Sequence, residues 1–195
     1  MAPLNILVVA GSLNDRSSTR LVTKFVADEW RKKGCAVDEV DLARETLALF
    51  DPDVSYKSAV YLALKPRVDN ADVIVLGTPD YHGTIASPLK NFLDHFWQEF
   101  AGKLFATIVA SYDKGLTVTD HLRTVARQCY AWSMPYAVAF SDRDDVVSGE
   151  IKNDAFRQRL EMFVRDVSVY GNLLAEQWIK DLAGTDPGFL ARLRP

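Results

Sequence analysis

The chain has 195 residues, 48% of them hydrophobic, so it is long enough for one domain with a substantial buried core and short for two. Its formal net charge is −3 and its lysines and arginines are scattered. Because binding to a phosphate backbone requires a basic face, nucleic acid is excluded as an expected partner. We assign residues 1–183 to a single domain and residues 184–195 to a loose C-terminal tail.

The cysteines and the first apolar run bear on the compartment. Cys35 and Cys129 lie far apart, with no CxxC spacing and no local histidine, so neither a disulfide framework nor a metal site is expected. A reducing, cytoplasmic location fits this cysteine usage. The run from Leu4 to Ala10 is too short to span a bilayer and has no preceding Lys or Arg, so we expect a strand there and no membrane partner.

Five segments have the composition of strands. Four are nearly continuous in apolar residues, which is typical of strands that helices cover on both faces of a parallel sheet. A fifth segment alternates weakly and suits an edge strand. In chain order the five predicted strands are residues 4–10, 37–42, 73–76, 104–110 and 136–140.

Between these strands the apolar residues recur with helical spacing. The first helix has an apolar stripe from Leu21 to Trp30 and is expected to end at Gly34, which can adopt the left-handed cap. The third helix is expected to have Ser87 as its N-cap and Pro88 at its first position.

Two more helices are predicted near residues 117–132 and 154–180. Residues 56–70 are a doubtful helix, because Pro66 should break or kink one. Strands and helices alternate throughout, and this order predicts an α/β fold: a doubly wound, five-stranded parallel sheet with helices on both faces.

In such a sheet, ligands bind beyond the carboxyl ends of the strands. The loop after the first strand has hydroxyls at Ser12, Ser17, Ser18 and Thr19, next to the amino end of a helix. Hydroxyls and free backbone N–H groups there favour a phosphate, and without a GxxxxGK[ST] or GxGxxG motif a monophosphate is the natural ligand. The alternative is that the serines only cap the helix. Arg16 either pairs with the ligand or is solvated.

Two other loops follow strands at the same edge. In the loop from Thr78 to Thr84, Pro79 and Gly83 make a stiff backbone that can approach a flat ligand, although Tyr81 and His82 taken alone are more typical of packing. The loop 111–115 has turn-forming residues and is expected beside the other two.

Together these motifs resemble the NAD(P)H-dependent FMN reductase family of flavodoxin-like proteins, and they are similar to its sulfonate-utilisation type. A GSxxxxSxN-like loop appears as Gly11-Ser12 with Ser17 and Thr19. A TPxYxGxxxxxLKNxxD-like segment runs from Thr78 to Asp94. Two departures are Asn14, where many members have arginine, and Gly115-Leu116 in place of a Gly-Gly pair.

The resemblance implies a flavodoxin-like sheet with strand order 2-1-3-4-5 and an enzyme that takes hydride from NADPH or NADH onto FMN and passes it to free flavin, a quinone or a similar small-molecule acceptor. It also implies a homodimer or homotetramer. The cofactor-binding residues that it implies are Ser12, Asn14, Arg16, Ser17, Ser18, Thr19, Pro79, Asp80, Tyr81, His82, Gly83, Ser111, Tyr112, Asp113 and Gly115.

Two other functions stay open. One is a flavodoxin-type electron carrier without NAD(P)H turnover, although a charge of −3 with mixed signs gives little of the acidic field that steers such carriers to protein partners. The other is a non-enzymatic binding protein on the same fold. No acid–base or nucleophilic constellation is evident, and we name no catalytic residue. Four aromatic residues suit either core packing or an interface: Trp97, Phe100, Tyr130 and Trp132.

Overall fold

The computed structural model describes residues 2–194. Strands and helices alternate along most of this length, which confirms the α/β class. The strands are β1 (Asn5–Ala10), β2 (Ala36–Asp41), β3 (Val73–Tyr81), β4 (Thr84–Ile85), β5 (Leu104–Ala110), β6 (Trp132–Ser133), β7 (Val138–Phe140), β8 (Val146–Val147) and β9 (Glu150–Ile151). The α-helices are α1 (Ser18–Lys32), α2 (Ala59–Asn70), α3 (Ser87–Asp94), α4 (Leu116–Gln128) and α5 (Asp154–Ala183).

The central sheet is parallel but has seven strands. Its order is β2-β1-β3-β5-β6, with β7 also parallel to β5 and β4 antiparallel to β3; β8 and β9 form a separate hairpin. The simple five-stranded order is therefore not reproduced. In place of one strand over 136–140, β6 pairs with the start of β5 and β7 with its end. Pro135 lies between them and has no N–H for the ladder, which explains the interruption.

Side chains that alternate along the central strands supply two cores. Ile6 and Val8 pack with α1 and α5, in a cluster that includes Trp30 and Phe163. Leu7 and its neighbours on the other face pack with α2, α3 and α4. Because both faces of β1 are covered, its sequence is continuously apolar rather than alternating.

Three features of the helices differ from those predicted. Helix α2 continues through Pro66. Because proline has no N–H, the carbonyl of Leu62 lacks its helical donor, and both Pro66 and Leu62 are exposed. The proline thus lies on the solvent-facing side of the helix, where it displaces no packed side chain. The N-cap of α3 is Ala86 rather than Ser87, and its backbone N–H donates to Thr78 Oγ1. Helix α4 ends at Gln128, short of the predicted 132.

The end of α1 matches its prediction, since Gly34 has a φ of 83°. Of the four aromatic residues left between core and interface, Phe100 is fully buried, whereas Trp97, Tyr130 and Trp132 are each about half exposed. Core packing therefore accounts for only one of them.

The segment after α5 contacts the domain. Leu190 is 3% exposed, the ring of Phe189 stacks on Tyr130, and Arg194 donates to the backbone oxygens of Asp181 and Asp186. The division at residue 183 stays a prediction. No helix within residues 2–194 has both the length and the apolar character needed to cross a membrane.

Candidate functional site

Two glycines let helices approach the carboxyl edge of the sheet closely. Gly11 follows β1, and its N–H donates to the oxygen of Gly77 in β3 at 2.8 Å. A Cβ on Gly77 would lie 2.4 Å from Thr23 Cγ2 in α1, and one on Gly11 would lie 2.7 Å from the Cβ of Leu89 in α3. The small residues therefore set how near both helices come to the strand ends.

The loop from β1 to α1 is organised by its own polar side chains. Ser17 is the N-cap of α1, and its Oγ accepts from the N–H of Arg20 at 3.1 Å. The buried Ser12 Oγ accepts from the N–H of Asn14 at 3.3 Å. Ser17 therefore caps the helix, and whether it also binds a ligand stays a prediction. An oxygen that accepts an N–H keeps its hydroxyl proton, so both groups can still donate to an anion.

Arg20 holds this loop from the side of β2. Its guanidinium donates to the backbone oxygens of Ser12, Asn14 and Asp15 at 3.1–3.3 Å. It also donates to Asp41 Oδ1, and its Nε forms an ion pair with Asp41 Oδ2 at 2.8 Å. The loop carbonyls are thus engaged by Arg20. Sequence reasoning missed this residue because its role depends on Asp41, at the end of another strand.

The segment after β3 is a tight hairpin. Tyr81 pairs with Thr84 of β4, and His82 and Gly83 between them have φ of 58° and 76°. Two consecutive residues with positive φ are characteristic of the type I′ hairpin turn. Asp80 stabilises the turn because its Oδ1 accepts from the N–H of Gly83 at 2.8 Å.

Asp80 also joins this hairpin to the loop after β5. Its Oδ2 accepts from the hydroxyl of Ser111 at 2.9 Å, and Ser111 Oγ accepts from the N–H of Asp113 at 3.1 Å. Gly115, with a φ of 60°, then starts α4 as its N-cap. One carboxylate therefore fixes the spacing of the β3–β4 hairpin and the loop after β5.

A further contact brings in the loop after β7. The hydroxyl of Tyr112 donates to Asp142 Oδ1 at 2.7 Å, and the guanidinium of Arg143 lies 4.4 Å from the centre of the Tyr112 ring. Hydrogen bonding to Asp142 raises the pKa of Tyr112, so the phenol stays protonated near neutral pH.

These loops enclose a cavity of about 270 Å³. The hydroxyls of the loop after β1 line it together with a proline and a tyrosine ring. Its lining consists of Ser12, Asn14, Arg16, Ser17, Ser18, Thr19, Pro79, Asp80, Tyr81, Ala110, Ser111, Tyr112 and Asp142.

Most but not all of the predicted cofactor-binding residues line this cavity. His82, Gly83, Asp113 and Gly115 lie outside its lining and act through the backbone of the turns. Asp142 was not predicted. It follows the last strand of the central sheet, so the rule that ligands bind at carboxyl strand ends could have identified it.

The lining of the cavity includes one cationic side chain, Arg16, and two carboxylates, Asp80 and Asp142, so it carries no excess of positive charge. An anion there would rely on hydroxyls and the amino end of α1 rather than on a cluster of cations. Among residues 2–194, no group of three or more His, Cys, Asp or Glu side chains could hold a metal ion.

The fold and the site define a flavodoxin-like α/β protein with a hydroxyl-rich cavity at the carboxyl edge of its sheet. The sequence model of the NADPH-dependent FMN reductase family matches residues 4–145. The chain belongs to that family, whose members are flavin oxidoreductases that use NAD(P)H and FMN.

A curated relative is the FMN-dependent NADPH-azoreductase of Staphylococcus haemolyticus (strain JCSC1435). It is 27% identical over 178 residues, which cover 85% of this chain and 94% of the relative. The azoreductase of Staphylococcus aureus (strain USA300) is 24% identical over the same shares.

Among solved structures, the NAD(P)H:acceptor oxidoreductase FerB from Paracoccus denitrificans superposes with a TM-score of 0.72 at 19% identity, over 87% of this chain and 97% of that one. The apo form of the NADH:FMN oxidoreductase EmoB gives a TM-score of 0.69 at 17% identity, over 86% and 89%. At these identities the likeness shows the fold.

Proposed function

We propose that the cavity holds FMN, with its phosphate at the Ser12 to Thr19 loop and its ring at the β3–β4 hairpin, and that the protein uses NAD(P)H to reduce a small-molecule acceptor. The observation that carries this proposal is that the loop hydroxyls and the amino end of α1 line the same cavity as Pro79 and Tyr81.

The residues present fit this cofactor. Ser12 and Ser17 keep donor protons for phosphate oxygens, and the first turn of α1 has unpaired N–H groups. Pro79 and Tyr81 offer apolar surface to a planar ring, and Tyr81 is 54% exposed, so it leaves room for a second planar molecule beside it. The hydroxyl-rich loop after β1 suits one phosphate without an accompanying metal ion.

FMN, when bound, supplies the hydride chemistry, and the protein orients it. Arg20 keeps the phosphate loop in shape, and Asp80 holds the hairpin and the Ser111 loop at a fixed separation. The neutral phenol of Tyr112, bonded to Asp142, closes one side of the cavity without adding a charge. Hydride transfer requires no protein acid or base, so these roles are binding and positioning.

We propose an azo compound or a quinone as the acceptor class, because the Staphylococcus relatives are FMN-dependent azoreductases. The exposed rings of Tyr81 and Tyr112, which line the cavity, support a flat and largely apolar acceptor. A cytoplasmic location fits the free Cys35 and Cys129. A homodimer or homotetramer fits the half-exposed aromatic residues of the surface.

The function is tested by following NADPH and NADH oxidation with purified protein, with and without added FMN, and with an azo dye or a benzoquinone as acceptor. Turnover that depends on FMN and acceptor supports the proposal and shows which nicotinamide nucleotide is preferred. Bound FMN that neither nucleotide reduces would favour the electron carrier.

Binding is tested separately by the Ser17→Ala/Thr19→Ala double variant. Each hydrogen bond lost to a charged phosphate should weaken FMN binding by about 1 kcal/mol or more. Unchanged FMN affinity in a folded double variant would contradict the phosphate assignment.

A further inference from the structure

A groove continues from the cavity along the outer side of α1. It runs between α1 and the β8–β9 hairpin, and we call it the α1 groove. Its first part is a cavity of about 700 Å³. Four residues line both this part and the cavity proposed to hold FMN: Arg16, Ser17, Ser18 and Asp142. Its second part, of about 430 Å³, shares Leu21, Lys24 and Gly149 with the first. The groove is therefore continuous with the phosphate end of the proposed FMN site.

The hairpin wall of the α1 groove is fixed by buried hydrogen bonds. Asp145 is 8% exposed, and its carboxylate accepts from the N–H of Ser141 and from the side-chain amide of Asn153. Ser148 and Gly149 have φ of 54° and 78°, the two positive values of a tight hairpin turn. A wall held in this way needs no reordering when a ligand enters.

The length and chemistry of the groove match a nucleoside monophosphate. Phe25 comes seven positions after Ser18 in α1, which corresponds to a rise of about 10 Å along the helix. This distance is on the order of the length of an adenosine monophosphate. Along this length lies Lys24, whose Nζ is 3.3 Å from Asp28 Oδ2 in an exposed i,i+4 pair. Such a pair is weak, so the ammonium is available to a phosphate.

The far end of the groove offers a surface for a base. The guanidinium of Arg157 lies 5.7 Å from the centre of the Phe25 ring, and both residues line this end. Aromatic rings and planar guanidinium groups are the surfaces on which purines stack. The carboxylates of Asp28 and Glu150 lie there too and can accept from an exocyclic amino group.

We propose that the α1 groove binds the adenosine 5′-phosphate half of a dinucleotide whose other half reaches the flavin cavity, as the flavin itself in FAD or beside the bound FMN in NAD(P)H. This inference rests on the proposed function. Two dinucleotides contain that half, FAD and NAD(P)H. In FAD the second phosphate follows directly from the one at Ser17 and Ser18, where the two cavities join.

The test uses Lys24→Glu, with Lys65→Glu as the matched control. Lys65 also forms an exposed i,i+4 pair with an aspartate, Asp69, and lies 3.5 Å from Glu99, but it is on α2 and does not line the groove. Dissociation constants of FMN and FAD are measured by calorimetry, and the KM for NADPH is measured with the FMN-loaded protein. With FAD as the source, Lys24→Glu raises the Kd of FAD about fivefold and that of FMN less than twofold, since the charge change acts only on the adenosine phosphate.

The outcomes separate the two sources and the two proposals. If only the Kd of FAD rises, the ligand of the groove is the flavin dinucleotide. If only the KM for NADPH rises, the ligand is the nicotinamide dinucleotide. If the Lys24→Glu protein binds FMN normally and keeps the wild-type Kd of FAD and the wild-type KM for NADPH, this inference is overturned and the proposed function stays intact. Absence of FMN binding in the wild-type protein would overturn both.

Discussion

Replacing Arg20 by methionine should weaken FMN binding without removing any group that touches the ligand. Arg20 donates to three backbone oxygens of the phosphate loop and to Asp41, and its side chain is 25% exposed. Each hydrogen bond from a charged donor stabilises by about 1.5–3 kcal/mol. The loop lies at the surface, however, and its carbonyls regain water when Arg20 is lost, so we expect a net loss of about 2 kcal/mol rather than the sum.

That loss should appear largely in binding, because a loop no longer held by Arg20 must be ordered by the ligand at the cost of backbone entropy. We expect the Kd of FMN to rise about tenfold to thirtyfold, the equivalent of roughly 1.4–2 kcal/mol. The matched control is Arg44→Met. Arg44 also pairs with Asp41, with its Nε at 3.5 Å from Oδ2, but its side chain is 84% exposed and should contribute little.

The assay is titration of FMN into apo protein, with thermal unfolding of each variant as a check on folding. Wild-type FMN affinity in a folded Arg20→Met protein would refute the idea that Arg20 prepares the loop. An equal loss in Arg44→Met would instead assign the effect to the charge of Asp41.

Three further changes have definite expected outcomes. His82→Asn should raise the free energy of unfolding by about 0.5 kcal/mol, measured by urea denaturation, because asparagine adopts the left-handed conformation required before Gly83 more readily than histidine does. Gly77→Ala should lower it by about 1–3 kcal/mol and weaken FMN binding, since the new methyl group would displace Thr23 and with it α1; unchanged values of both would contradict this. Burial lowers the pKa of Lys103 from 10.5 to about 8. Between pH 8 and 10.5 the unfolded chain therefore binds a proton that the folded chain lacks, and the free energy of unfolding should rise with pH over this range. Lys103→Met should remove this rise, and identical pH dependence of urea unfolding in both proteins would disprove it.

The sequence was sufficient for the features that depend on short, continuous patterns. The apolar runs predicted the principal parallel strands, and the hydroxyls after β1 pointed to a loop that lines the cavity, because both signals lie within a few adjacent residues. The α/β class followed from their alternation. Gly34 was recognised as the end of α1 for the same reason, since a cap depends on its immediate neighbours.

Other features depend on contacts that no local pattern contains. Pro66 is compatible with α2 only because that side of the helix faces water, and its exposure is a property of the folded molecule. The interruption of the last strand at Pro135 was visible in the sequence, but the pairing of both fragments with β5 was not. The half-exposed Trp132 likewise required the position of the sheet edge to be known.

Asp80 best illustrates why residues around the cavity had to be located in space. In the sequence it is one polar residue in a ligand-binding motif, and a direct contact with the ring is the natural expectation. In the structure one carboxylate oxygen accepts from Gly83 N–H and the other from Ser111 Oγ. Both oxygens are therefore engaged in holding two loops together. Its contribution to flavin chemistry should come through the geometry of those loops, and a replacement that keeps both hydrogen-bonding positions should preserve more function than one that removes them.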